Sequence, residues 1–403
     1  MSDEHPPARK ILLQPKAWKR FAQGAPWAFS NEIQMDNAAR KLAAGSVVRI
    51  CLPEGEPIAL AHFNPHSLIA ARELSRDPAA LEAGRLQDGW LQARLARAAS
   101  IRERLFDRPF YRLIHAEADG LPGLVIDRYG PVFVVQANTA GMDRLLPEID
   151  AALTETFGAA AIVHRNESAS RALEGLTQIV AVSRGTVDGP IAVEENGCAF
   201  FCDPLAGQKT GWFFDHRENR AAAARFAPGA RVLDLYGYAG AFAIPAAKAG
   251  AAEVVTVDRS KEALALCAQA AEANGVADRV RGEKADVFTW LERATADGAR
   301  FDLVIADPPA FVKARKEIKQ GARAYAKLAR LAARATAEGG TLLLASCSHL
   351  VDEALFLEEC RRGLTEAGRS ARLLRRGGAG PDHPLHPALP ESGYLKALLF
   401  ALD

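Results

Sequence analysis

RVLDLYGYAGAFAIPAAKAGAAEVVTVDR, residues 231–259, is the stretch on which the fold of this 403-residue chain turns. Val232, Leu233 and Leu235 are apolar and close-set, the pattern of a strand buried on both faces. Gly237 and Gly240 let the backbone turn tightly and approach a ligand with no Cβ in the way. Residues 241–250 are alanine-rich and helical, and the β-branched run 254–257 ends in Asp258. The order is strand, glycine turn, helix, strand, acid. Helix amides at the turn can face one part of a ligand, while the acid can accept both hydroxyls of a ribose. An ordinary βαβ unit shares the strands and the helix. The glycines and the terminal acid favour a nucleoside-containing cofactor, although G-x-x-G is a weaker signal than the dinucleotide G-x-G-x-x-G.

Working outward, the length allows about two to three domains. Apolar content of 49% and charged content of 25% describe an ordinary globular protein. A net charge of +1 argues against a strongly basic nucleic-acid binder, though a local basic patch is hidden by such an average. The opening MSDEHPPARK has no apolar core and does not read as a signal peptide. No apolar run reaches bilayer length, so no membrane partner is expected. The six cysteines are scattered, which suits a reducing, cytoplasmic compartment better than a disulfide framework. Cys198 and Cys202 form the one close pair, and no second pair completes a zinc set, so no metal is expected.

Towards the amino terminus, residues 9–76 read as a small β-rich module. The runs 46–52 and 58–63 are short strands separated by the turn-forming PEGEP. Lys16, Lys19, Arg20, Trp18 and Trp27 place cations and aromatics in one segment. Such a mixture can stack on bases and bind phosphates, and it can equally be a solvated face over aromatic core residues. Residues 76–88 read as a linker, and Trp90–Leu105 as an arginine-rich helix. YRLIHAEADGLPGLVIDRYGPVFVVQ follows as two strands around glycine turns, then a helix over 145–157 and a strand over 160–164. Asp119, Asp127 and Asp143 are expected to cap turns and helices. This is a second α/β unit with no obvious catalytic set.

Residues 195–220 are expected to form a hairpin leading into the central stretch. Its GQKTG lacks the first glycine and the Gly-Lys adjacency of a phosphate loop, which excludes a nucleoside-triphosphatase reading. Lys209 could still neutralise a carboxylate or phosphate. Beyond Asp258, the spacing predicts a helix over 262–274 and a strand over 280–284, placing Asp286 near the same crevice. FDLVIADPPAF (301–311) is an apolar strand broken by two prolines directly after Asp307. Prolines there fix an extended loop at a strand's carboxyl end, where open α/β sheets put their chemistry. TLLLASCSHL then sets Cys347 just past another apolar strand.

Three acids and one cysteine thus fall at the ends of successive strands. A dehydrogenase gives no role to Asp-Pro-Pro, whereas an S-adenosylmethionine (SAM) methyltransferase explains both features. Asp258 would bind the ribose and Asp286 the adenine, with Asp307 and Pro308 lining the substrate pocket. A lone cysteine such as Cys347 is commonly an inert buried thiol, so the residues alone leave its role open.

Taken together, GAPWAFSNEI (24–33), ADGLPGLVIDRYG (118–130), GQKTGWFFDHR (207–217), LDLYGYAGAFA (233–243), FDLVIADPPAFV (301–312), SCS (346–348), DHP (382–384) and YLK (394–396) carry a resemblance. The chain resembles the bacterial RlmI-type large-subunit ribosomal RNA cytosine-C5 methyltransferases over nearly its whole length. The combination of QKTG-aromatic, Asp-Pro-Pro and Ser-Cys-Ser in this order is specific, whereas any one alone is not. The chain departs from the family in Ala25, where histidine usually precedes Pro-Trp.

The resemblance implies an α/β chain in three parts. A PUA-like RNA-binding domain spans 1–76, a middle α/β domain 77–191, and a Rossmann-like class I methyltransferase domain with a leading hairpin 192–403. It implies SAM as cofactor, RNA as partner (large-subunit rRNA foremost) and Lys16, Lys19, Arg20 and Trp27 as RNA contacts. A homo-oligomer is left open. The cofactor set would be Lys209, Thr210, Gly211, Asp234, Tyr236, Gly237, Gly240, Asp258, Arg259, Asp286, Val287, Asp307 and Pro308. Cys347 and Asp307 would be catalytic. The C5 carbon of a pyrimidine is a poor nucleophile, and a thiolate adding at C6 would activate it for methylation. The rival readings are a SAM-dependent N-methyltransferase using Asp-Pro-Pro without Cys347, and a ribosome-assembly RNA-binding factor with a vestigial SAM site.

Overall fold

A computed structural model describes residues 8–403 of the chain. It divides into two compact units. One runs through Gly189 and takes in Pro204–Trp212 and Asp382–Pro390. The other consists of Pro190–Asp203, Phe213–Pro381 and Glu391–Asp403. No helix among the described residues is long and apolar enough to cross a membrane.

The first unit holds two five-stranded sheets. The first sheet uses β1 (Arg9–Leu12), β2 (Trp27–Phe29), β3 (Ser46–Cys51), β4 (Pro57–Phe63) and β5 (Ile69–Ser75), in the order β1-β3-β4-β5-β2, with helix α1 (Trp18–Ala22) between β1 and β2. Ile11, Leu13, Phe21, Val48, Ile50 and Phe63 fill its core. Helix α2 (Pro78–Ala83) starts on Asp77, whose carboxylate accepts from the amides of Ala79 and Ala80, and has proline in its first turn. The helix α3 (Trp90–Leu105) follows with the expected bounds.

The second sheet comprises β6 (Phe110–His115), β7 (Leu124–Tyr129), β8 (Val132–Ala137), β9 (Ala161–Asn166) and β10 (Ile179–Arg184), in the order β10-β9-β8-β7-β6. Three strands occupy the stretch expected to hold two, because each of its glycine turns reverses the chain. The expected helix over 145–157 is preceded by a separate short one. Helix α4 (Ala140–Arg144) ends at Leu145, and α5 (Leu146–Phe157) restarts with proline in its first turn. Helix α6 (Ser170–Leu173) precedes β10. Asp119, Asp127 and Asp143 each pair with an arginine, and Asp119 alone also caps as expected, accepting from the His115 amide at the turn 116–119. The partners are Arg102, Arg112 and Arg171, at 2.7–2.8 Å.

In the second unit the hairpin β11 (Ile191–Glu195) and β12 (Cys198–Cys202) turns at Asn196 and Gly197, both at positive φ. It begins earlier than expected, and residues 204–212 after it belong to the first unit. Helix α7 (Arg217–Ala224) leads into a seven-stranded sheet. Its elements are β13 (Arg231–Leu235), α8 (Ala243–Lys248), β14 (Glu253–Asp258), α9 (Lys261–Ala273), β15 (Val280–Lys284), α10 (Val287–Ala296), β16 (Phe301–Ala306), α11 (Ile318–Ala335), β17 (Thr336–Ser346), α12 (Glu353–Glu366), β18 (Ala371–Gly377) and β19 (Lys396–Leu402).

The strand order is β15-β14-β13-β16-β17-β19-β18. Strands β13 to β17 run parallel, and β19 enters antiparallel between β17 and β18. From β13 the chain builds outward through β14 and β15, then returns to lay β16 on the other side of β13. That neighbouring pair is the topological switch point, beyond whose carboxyl ends a doubly wound sheet binds its ligand.

Candidate active site

Five parallel strands deliver their carboxyl ends to one edge of this sheet. The loop after β13 is unusual in backbone. Tyr236 (φ 61°), Tyr238 (φ 48°) and Gly240 (φ 79°) all occupy the left-handed region. A Cβ on Gly240 would sit 2.5 Å from the Cys267 sulfur on α9, and one on Gly237 would sit 1.9 Å from Thr256 Oγ1. Both glycines are therefore required by close packing over β14 and α9. The helix expected from residue 241 starts two residues later because the loop uses them.

Asp234 lies within β13 and is buried. Its Oδ2 accepts from the amide of Ala243 at 3.1 Å, while Oδ1 has no partner. Burial, reinforced by the charges of Asp307 and Asp258, pushes its carboxyl up to about 8 against the Ala243 amide. Asp258, at the end of β14, is half-buried. Its two oxygens each accept one backbone amide, from Tyr238 at 3.0 Å and Ser260 at 2.9 Å. A carboxylate has about four lone-pair sites, so acceptor capacity remains for two hydroxyls. Asp286 is exposed and caps α10, accepting from the Thr289 amide at 3.1 Å; Val287 behind it is buried. Tyr236 is half-buried beside these groups. Burial raises its phenol above the ordinary range, with Asp286, Arg259 and Asp258 acting on it in turn.

Across the switch point, Asp307 follows β16 and lies 3.3 Å from His216 Nε2. The imidazole is buried and meets the Phe242 ring edge-on at 5.5 Å. Cys347 follows β17, with its sulfur 4.0 Å from the carbonyl of Pro308. It is half-exposed, whereas the other five cysteines are buried. The flanking serines are pinned by Tyr325 of α11, whose hydroxyl lies 2.8 Å from both Ser346 Oγ and Ser348 Oγ. Lys396, at the start of β19, donates to the carbonyls of Ser348 and Tyr394 at 2.7 and 2.8 Å.

The sheet thus brings Asp234, Tyr236, Gly237, Gly240, Asp258, Arg259, Asp286, Val287, Asp307, Pro308 and Cys347 to one edge. Lys209, Thr210 and Gly211 belong to the first unit. There Thr210 is buried, donates its hydroxyl to Asp127 at 2.5 Å and accepts from the Tyr129 hydroxyl at its carbonyl. In the β-rich module Lys16 and Lys19 are exposed. Arg20 is paired with Glu32 at 2.8 Å, and Trp27 donates its indole N–H to Glu117 at 2.7 Å. A cavity of about 330 Å³ in this unit is lined by Arg94, Arg97 and His386 among others.

His216, Tyr325 and Lys396 received no role from the sequence. His216 and Lys396 lie within segments that carried the resemblance, DHR and YLK, but spacing cannot say which strand end they reach. Tyr325 sits in a long basic helix with no signal beyond helical periodicity. The orphaned oxygen of Asp234 and the free acceptor capacity of Asp258 suit a polar, nucleoside-bearing ligand, so the residues fit the expected cofactor.

Residues 181–401 match the family model described as S-adenosylmethionine-dependent methyltransferase, and residues 11–76 match that of a PUA-like domain. Ribosomal RNA large subunit methyltransferase I from Shewanella amazonensis is 35% identical over 395 residues, covering 97% of this chain and 98% of its own. The protein of that name from Alteromonas mediterranea is 33% identical, over 97% of this chain and 98% of its own. Among solved structures, a candidate SAM-dependent methyltransferase from Streptococcus mutans superposes with a TM-score of 0.80 at 20% identity, over 98% of this chain and all of its own. A methyltransferase structure complexed with SAH gives 0.81 at 21%, with the same coverage. At those identities the likeness shows the fold, a Rossmann-like methyltransferase. The length and identity of the sequence matches show more: this chain belongs to the family of SAM-dependent methyltransferases that carry a PUA-like amino-terminal domain and include the large-subunit ribosomal RNA methyltransferase I proteins.

Proposed function

We propose that this enzyme methylates C5 of a cytosine in RNA, with large-subunit rRNA as substrate, through a covalent adduct to Cys347. The observation that carries the reading is the placement of that cysteine. Alone among the six cysteines it is not buried, and it lies one residue past β17 with its sulfur against the Asp307-Pro308 loop. The names of the relatives support the RNA and the subunit; the family resemblance supports cytosine, and a cysteine beside the Asp-Pro-Pro loop supports attack at C6 and hence methylation at C5.

When bound, SAM supplies an electrophilic methyl group. Asp258 would hold the ribose, Asp286 and Tyr236 the adenine side, and the Gly237–Gly240 loop the close approach. Asp234, Arg259 and Val287 complete that wall. Cys347 would form a bond to C6 of the ring, drawing the C5=C6 electron pair towards C5. Asp307, oriented by His216, would hydrogen-bond the nitrogen edge of the ring and steady the charge that builds there. Once C5 has given that pair to the methyl group, a base would take the C5 proton, the C5–H pair would re-form the C5=C6 bond, and the C6–S bond would return its electron pair to sulfur. A paired base would have to flip out to reach this edge, which favours unpaired or unassembled RNA. Lys16 and Lys19 present exposed charge for phosphates, and Arg20 and Trp27 are proposed with them as RNA contacts.

RNA carrying 5-fluorocytidine at the target tests this directly. Fluorine cannot leave as a proton, so the adduct should be trapped and survive denaturation. Cys347→Ala should abolish trapping and turnover while SAM still binds. An alanine variant with near-normal turnover would end the covalent reading and leave methylation of an exocyclic amine against Asp-Pro-Pro.

A further inference from the structure

Lys396 is 6% exposed, and its ammonium is held by two backbone carbonyls. Carbonyl dipoles satisfy two of its three N–H donors, but they do not neutralise it. Among the described residues no carboxylate lies within ion-pair distance of this nitrogen. A buried ammonium with no counter-charge is costly, and structures retain one where an anion is expected nearby. Burial pulls Lys396 down to about 8, opposed first by Cys347 and then by Asp352 and Glu353. The carbonyl that anchors the ammonium belongs to Ser348, directly after Cys347, so one short loop positions both groups.

We propose that Lys396 is the resident counter-cation of the Cys347 thiolate and keeps the nucleophile ionised before substrate arrives. This rests on the covalent reading of Cys347. The thiol gives its proton to solvent and Lys396 stays an ammonium. When sulfur bonds C6 its charge passes into the ring, and when the C6–S bond breaks the electron pair returns to sulfur beside the same cation. Lys396 is thus a positioning residue for the thiolate.

The other groups around this pair come from every neighbouring element. Tyr325 of α11 senses the Cys347 charge, with its phenol raised by burial. Asp307 and His216 stand beyond Pro308, and His349 packs on Tyr394 at 5.4 Å. Asp352 and Glu353 open α12.

The test is the pH profile of iodoacetamide alkylation at Cys347, read by peptide mass on the full chain without RNA. It runs from about pH 5 to 10, spanning the ordinary cysteine value of about 8.5. The other cysteines are buried and react slowly in the folded protein. The wild type should titrate clearly below the ordinary value. Lys396→Met should move the inflection up by about one unit or more, with roughly tenfold slower labelling at neutral pH. Lys396→Arg should restore most of the shift, and SAM affinity should confirm that both variants fold. Superimposable wild-type and methionine profiles would overturn the proposal. A shifted profile in an enzyme whose Cys347→Ala form still turns over would keep the ion pair and discard the covalent mechanism.

Discussion

Asp234 and Asp258 sit on neighbouring strands, and their surroundings divide the work between them. Asp258 has both oxygens on backbone amides and lies half open. Under the proposed role it accepts the ribose hydroxyls, so Asp258→Ala should weaken SAM by about 1–3 kcal/mol, the cost of stranding a buried polar partner. Calorimetric titration reads this, and unchanged affinity would take Asp258 out of the site. The same titration on Lys209→Ala tests the cofactor role expected for residues 209–211. Asp234 has one amide, one orphaned oxygen and a carboxyl raised to about 8. The folded state therefore holds a proton that the unfolded chain releases near pH ~3.9. The stability linked to that proton is fully present below the unfolded value and is lost as pH rises through the folded one. Asp234→Asn cannot ionise, so the thermal midpoint of the cofactor-free variant should gain on the wild type between about pH 5 and 8. Parallel profiles would mean that Asp234 is ionised throughout and balanced by another charge.

At the scale of elements, the legible parts were those governed by local pattern. The apolar runs of β13, β14 and β16 could be read as doubly buried strands, and Trp90–Leu105 could be read as a helix. The illegible parts depend on partners distant in sequence. Nothing local says that β19 inserts antiparallel between β17 and β18, yet that insertion carries Lys396 to the Ser-Cys-Ser loop. Tyr236 and Tyr238 at positive φ were likewise hidden, because tyrosine does not advertise the left-handed region as glycine or asparagine does. The three aspartates taken for caps show the converse limit. Asp, as a residue type, favours caps, and Asp119 does cap its turn, but an arginine claims each of the three, and for the buried Arg102 and Arg171 an unpaired guanidinium in a core would cost more than an uncapped turn.

At the scale of the whole molecule, the first unit raises a question that the sequence answered with a boundary near residue 76. Its two sheets share a buried carboxylate. Glu174 accepts from Asn64 at 2.9 Å, Ser67 at 2.9 Å and Arg72 at 3.4 Å, all in or beside the first sheet, and from the amide of Ala140 at the start of α4 at 3.4 Å. The packing around it is close as well. A side chain on Gly141 would meet the His62 ring at 2.0 Å, and one on Gly45 would meet the Ala140 backbone at 2.6 Å. Truncation at residue 76 would leave Glu174 facing no donor but Ala140, a poor way to isolate RNA binding. A point change is cleaner. Glu174→Leu strands the buried Ser67 hydroxyl and the Ala140 amide, leaves Asn64 only the Glu174 main-chain carbonyl at 3.2 Å, and removes one of two carboxylates from Arg72, which keeps Glu117 at 3.0 Å. Breaking a buried charged cluster from one side costs about 3–5 kcal/mol, and Glu174→Gln, which retains an acceptor oxygen, should cost less. Urea titration should show an earlier midpoint for the leucine variant than for the glutamine one. SAM affinity measured below the transition should hold for both, because Asp234, Asp258 and Asp286 lie in the other unit. A leucine variant that unfolds at the wild-type midpoint would mean that Glu174 does not hold the two sheets together and that the close packing at Gly141 and Gly45 joins them without it.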